Sequence, residues 1–187
     1  MSTTLNLQIS ADADDTESAA TDVWNNTSYD MAGYYSKAGY IKSYMTFRFP
    51  NIQLPVGIEI ITATFQIYCG ASYYPPSTVV LFENADNPAA PTSDADLSGR
   101  PISSGILWVL SAGFGGWQTS PELKSILHPV VDRGGWQKGN ALQIHWRPYE
   151  NVDGNYVTIK MYYDNPTYAA KLSITYKETS RFFVLFP

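Results

Sequence analysis

The stretch that decides the fold runs from Trp117 to Trp146, WQTSPELKSILHPVVDRGGWQKGNALQIHW. Its first third predicts a short helix: Ser120 as the cap, Pro121 at the first helical position, Glu122 in the first turn. Leu123, Ile126, Leu127 and Val130 or Val131 then recur at helical spacing. Pro129 is expected to kink or end that helix early, since its ring crowds the preceding turn and it has no amide hydrogen to donate. Gly134-Gly135 stops what remains. Leu142, Ile144 and Trp146 next alternate with Gln143, His145 and Arg147, the period of a strand with one buried face. One short helix wedged between strands is what closes an open end of a β-sandwich.

Outward from this segment the chain reads as strands. Leu5, Leu7 and Ile9 alternate with polar residues. Met45, Phe47 and Phe49 do the same up to Pro50, and Ile61, Ala63, Phe65, Ile67 and Cys69 share one face of a long strand. Short strands follow at Thr78–Phe82 and Ile106–Leu110. Asp153-Gly154 signals a hairpin turn before Val157, Ile159 and Met161, and Leu172, Ile174 and Tyr176 mark the last strand. About eight strands and one short helix, without βαβ spacing, predict an all-β antiparallel sandwich of the jelly-roll kind over residues 1–176. Residues 83–104 form a polar connection of a length uncommon in compact domains unless it is functional or pinned by its own contacts.

Composition excludes several function classes. Twelve basic against seventeen acidic residues give a net charge of -5, with no Lys/Arg cluster for phosphate binding, so nucleic acid is not expected as a partner. No apolar run reaches the ~20 residues of a membrane-spanning helix. The single cysteine, Cys69, cannot form an internal disulfide, and no secretory signal pattern opens the chain; folding in the cytoplasm is the expectation. With two histidines, His128 and His145, and no HExxH, GxSxG, P-loop or CxxC pattern, metal-cage and triad chemistry have little material. Asp86, Asp94, Asp96, Asp153 and Asp164 sit mostly in turn contexts where Asp is common. No catalytic residue is assigned, and no enzyme is expected.

Three features point to binding. The acidic run Asp12, Asp14, Asp15 and Glu17 is either a solvated turn or a set of oxygen ligands for a structural calcium ion. It lacks the glycine and distal glutamate of the helix-loop-helix calcium motif. Trp24, Tyr34, Tyr35, Tyr73 and Tyr74 lie among amide and hydroxyl residues, the composition of a glycan-binding surface and also of aromatic rings packed over a sandwich edge. Finally, residues 177–187 carry Phe182, Phe183, Val184, Leu185 and Phe186 past the last strand. Each of these side chains gains about 1.5 to 3 kcal/mol on burial, so the arm either lies back on its own sandwich or docks on another subunit or assembly.

The run Glu83-Asn84-Ala85-Asp86-Asn87-Pro88-Ala89-Ala90-Pro91-Thr92, continuing to Asp96-Leu97-Ser98-Gly99-Arg100, resembles a signature of carbohydrate-binding-module-like jelly-roll domains found in bacteriophage virion proteins and bacterial surface proteins. So do Trp117 to Leu123, Gly135 to Leu142, and Tyr163-Asp164-Asn165-Pro166 with Ala169 to Tyr176. The resemblance covers most of the chain from Leu5 to Tyr176. It implies an adhesion, fibre or decoration unit without catalysis: a capsid decoration or head-tail accessory protein, made in the host cytoplasm and carried on the virion. The expected partners are other virion proteins or sister subunits in a homo-oligomer, with cell-surface glycans as the alternative.

Overall fold

A computed structural model describes residues 1–19, 23–25, 31–33, 43–70, 76–111, 115–149, 152 and 154–179. Twelve strands and two α-helices occur among them. The first sheet contains β1 (Ser2–Gln8), β12 (Lys171–Glu178), β6 (Ile58–Cys69) and β9 (Gly116–Thr119), in that order. The second has β5 (Ser43–Phe49), β10 (Leu142–Pro148), β7 (Ser77–Phe82) and β8 (Ile106–Val109) side by side. Four short strands extend the β5 side: β2 (Asp15–Ala19), β3 (Val23–Asn25), β4 (Met31–Gly33) and β11 (Tyr156–Thr158).

The pairings are nested. β1 pairs with β12, β5 with β10, β6 with β9 and β7 with β8, all antiparallel. The chain is thus one long folded ribbon wound around the core, which is the jelly roll expected from the strand pattern. Seven of the eight wound strands were read from the sequence; the eighth expected strand, at Val157, Ile159 and Met161, is the short β11, and β9, β2, β3 and β4 are additional.

Side chains from both sheets fill the space between them. Phe47 of β5 meets Phe65 of β6 with ring centroids 5.0 Å apart. Trp108 lies edge-on to Phe65 at 6.3 Å and beside Trp146 at 5.8 Å. One end is closed by α2 (Lys124–Val131), which buries Ile126, Leu127, Val130 and Val131, each worth about 1.5 to 3 kcal/mol. Trp136, also buried, donates its indole N–H to the Leu54 carbonyl at 3.2 Å.

The helix begins later and ends later than its sequence suggests. Ser120 does not cap it: its hydroxyl accepts the Phe65 amide at 2.9 Å. Glu122 bridges instead, taking the Ala63 amide at 2.6 Å and the Lys124 amide at 2.9 Å through one carboxylate oxygen. These residues were expected to serve the helix but serve the junction with β6. Nor does Pro129 stop the helix, which continues to Val131. Pro129 and Ser125, one turn apart, both lie on its exposed side, where water can serve the carbonyl that proline leaves without a donor.

A second departure lies in β6. The register to β12 slips between Thr175↔Thr62 and Tyr176↔Ile60, leaving Ile61 as an extra residue. This bulge resets the alternation. Ile58 and Ile60 point into the core, whereas Ile61, expected to share the face of Ala63, is 39% exposed.

Candidate functional site

The long connection 83–104 turns out to be pinned. It lies over the outer face of the second sheet and contains α1 (Asp94–Gly99), whose cap Ser93 accepts the Asp96 amide at 3.1 Å. Arg100 fastens it at several points. Its guanidinium donates to Asp96 Oδ2 at 2.8 Å, to Glu83 Oε2 at 3.1 Å and to the Ala89 carbonyl at 2.8 Å. Asp96 is held below the usual carboxylate range by that Arg100 hydrogen bond. At the other end Arg133 reaches Asp86 at 2.5 Å and Asn84 at 2.8 Å. A Cβ at Gly135 would collide with the Asp86 carboxylate, so glycine there permits the close approach.

Beneath this strap lies His145, fully buried. Its Nε2 is 3.4 Å from Glu83 Oε2 and its Nδ1 3.4 Å from the Arg147 guanidinium, so a neutral ring donates to the first and accepts from the second. Burial pulls the imidazole below its ordinary pKa, against the Glu83 hydrogen bond that favours the charged form. Gln143, His145 and Arg147 were expected to face solvent; the strap covers Gln143 and His145 completely. Ser93-x-x-Asp96 is the sequence signal by which the helix within the strap could have been found.

The acidic run near the N-terminus is dispersed among separate partners. Asp14 pairs with Arg48 at 2.8 Å. Asp15, 1% exposed, accepts the Tyr162 amide at 2.7 Å. Burial, with Asp12 and Asp14 adding like charge, pushes its carboxyl up to about 7. Among the described residues, no three His, Cys, Asp or Glu side chains stand together as metal ligands. Cys69 is buried, and burial alone raises its thiol to about 12, where it does not ionise near neutrality.

The turn aspartates are likewise engaged. Asp86 and Asp96 form the pairs above, Asp94 accepts the Ser18 hydroxyl, and Asp164 pairs with Lys160 at 3.1 Å. Asp153 lies outside the described residues.

The first sheet presents an outer face of a different kind, over which no other segment lies among the described residues. Thr4 and Thr175 share a 2.9 Å hydrogen bond, Ser173 donates to Asn6 at 2.9 Å and Gln66 to Thr119 at 2.9 Å. At one corner stands a row of aromatic rings. Tyr68 packs against Tyr168 with centroids 4.2 Å apart and meets Trp117 edge-on at 5.6 Å. The Lys171 ammonium rests over the Trp117 ring, 3.8 Å from its centroid. Trp117 is therefore part of a half-buried surface, while Trp108, Trp136 and Trp146 are core. Alternation along β6 placed Tyr68 on the outer face; that Trp117 and Tyr168 would join it depends on pairings between distant segments.

The glycan candidates Tyr34, Tyr35, Tyr73 and Tyr74 lie outside the described residues, as does the side chain of Trp24, whose backbone belongs to β3. Phe182, Phe183, Val184, Leu185 and Phe186 of the assembly arm also lie outside them. No helix among the described residues is long and apolar enough to cross a membrane. A scan against protein-family models and a search of curated proteins find no match to this chain.

Proposed function

We propose that the chain is a bacteriophage virion structural protein, a capsid decoration or head-tail accessory component assembled in the host cytoplasm and working by binding and shape. The observation that supports this most is how the buried polar and charged groups are spent. Glu83, Arg100 and His145 bolt a strap across one sheet, and Asp14 with Arg48 ties the N-terminal turn to β5. A part that must keep its outline while held by neighbours uses its charges in this way, and the sequence resemblance agrees. The partners are other virion proteins or sister subunits; because β12 runs to Glu178, two residues past the expected end of the sandwich, the part of the 177–187 arm that follows it contributes the contact.

The test is solution mass by light scattering for the full chain and for a chain ending at Thr179, which retains all of β12. A defined oligomer for the first and a folded monomer for the second supports an assembly arm. If both are monomers and neither joins purified capsids or tails, the proposal fails.

A second reading, a carbohydrate-binding or adhesion module, is favoured by the aromatic corner of the first sheet. Flat rings beside hydroxyl and amide groups suit a pyranose, which stacks through its C–H face and hydrogen-bonds through its edge. A decoration protein can carry such a surface outward.

A further inference from the structure

We infer that the outer face of the first sheet binds an anionic polysaccharide, at the corner formed by Tyr68, Trp117, Tyr168 and Lys171. The inference rests on the carbohydrate-binding reading and names its ligand class. The argument is one of charge complementarity. The chain as a whole carries a net charge of -5, yet the strand stretches at the corner end of the face, residues 4–8, 62–69, 116–119 and 171–175, contain one lysine, Lys171, and no Asp or Glu. The glutamates of these strands, Glu59 and Glu178, lie at the far end. Lys177 stands opposite Glu59 in the register at the far end. Lys171 stands opposite Gln66, and the carboxylate of Asp164, in the turn before Tyr168, is paired with Lys160.

Lys171 is also held in place. The indole beneath its ammonium restrains a side chain that would otherwise sample many rotamers, so less freedom is lost when it meets a ligand anion. Tyr68 and Tyr168, half-buried and packed ring against ring beside it, would meet a sugar ring through the ring face that the pair leaves free. A carboxylated or sulfated sugar matches both parts: the ring against the tyrosines and the anionic group on Lys171. A neutral glycan would leave the cation unused. A protein of net negative charge is repelled at long range by a polyanion, so binding to one requires a local site.

The experiment is affinity electrophoresis of the full chain in gels containing polygalacturonate, dextran sulfate or neutral dextran. Retardation by at least one polyanion and none by dextran is expected, and the two polyanions separate carboxylate from sulfate recognition. Lys171→Gln should weaken binding about tenfold, the loss of one charge-assisted contact, and Tyr168→Ala should also weaken it. Lys177→Gln should leave it unchanged, with all three variants still folded by circular dichroism. Binding to neutral dextran that ignores Lys171→Gln would overturn the anionic class and leave the carbohydrate reading standing. No retardation by any polysaccharide would overturn both.

Discussion

At the scale of single residues, two buried titratable groups act on stability in opposite directions. Asp15 has a folded-state value of about 7, above the ordinary 3.8, so the folded chain holds a proton that the unfolded chain releases. Its contribution is fully present below about pH 4 and lost as pH rises through 7, by an amount on the order of 4 kcal/mol. His145 is displaced the other way: below about pH 6.5 the unfolded chain takes a proton that the buried ring refuses, and stability falls with falling pH. Asp15→Asn keeps an oxygen to accept the Tyr162 amide and cannot ionise. It should raise the thermal midpoint at pH 8, leave it nearly unchanged at pH 4, and expose an acid-side decline that starts near pH 6.5. Equal or lower midpoints at pH 8 would show that the Asp15 carboxylate is better accommodated than its burial implies. Neither role was legible in the sequence. Asp15 belongs to a run that reads as a solvated turn, and His145 alternates with core residues, which places it on the outer side of β10 without saying that another segment covers that side.

At the scale of elements, strands were legible wherever alternation was unbroken, as in β5 and β10, because a half-buried strand writes its faces into every second residue. The bulge in β6 interrupts that code. A run of β-formers such as Ile60-Ile61-Thr62 contains nothing to say which residue is the extra one; the partner strand decides it. The consequence can be measured. Ile61→Thr should change stability by no more than ~0.5 kcal/mol, whereas Phe65→Ala, four residues on and fully buried, should cost about 3 to 5 kcal/mol. Urea melts of both variants that gave similar losses would refute the register. The start of α2 was misread for a related reason: Ser120 and Glu122 have the chemistry of a helix start, but the open amides of β6 lie nearer. For the strap, length and polarity raised the question and only the contacts answer it. Arg100→Met should destabilise by roughly 3 kcal/mol, since Glu83 is left buried beside a neutral side chain. It should also make residues 84–104 the first site of limited proteolysis. An unchanged cleavage pattern would mean that the Arg133 end alone holds the strap.

At the scale of the whole molecule, the jelly-roll architecture followed from counting strands and finding no βαβ spacing, since few arrangements bury one face of eight antiparallel strands. The aromatic corner did not follow from it. Tyr68, Trp117 and the neighbouring Tyr168 and Lys171 come from three separate places in the sequence and meet because of which strands are neighbours, information that lies in the pairing. Nesting also governs the order in which the molecule is made. Residue 2 finds its partner in residue 177, whereas the innermost pair, β7 with β8, is closed by a connection wholly within residues 77–109. Short closures cost little entropy and form early; distant ones come late. On the ribosome the centre of the ribbon can fold while β1 has no partner, and that strand must wait until β12 has been synthesised. Maturation therefore proceeds from the middle outward, and the first sheet, with the face that carries Lys171 and Trp117, is completed last.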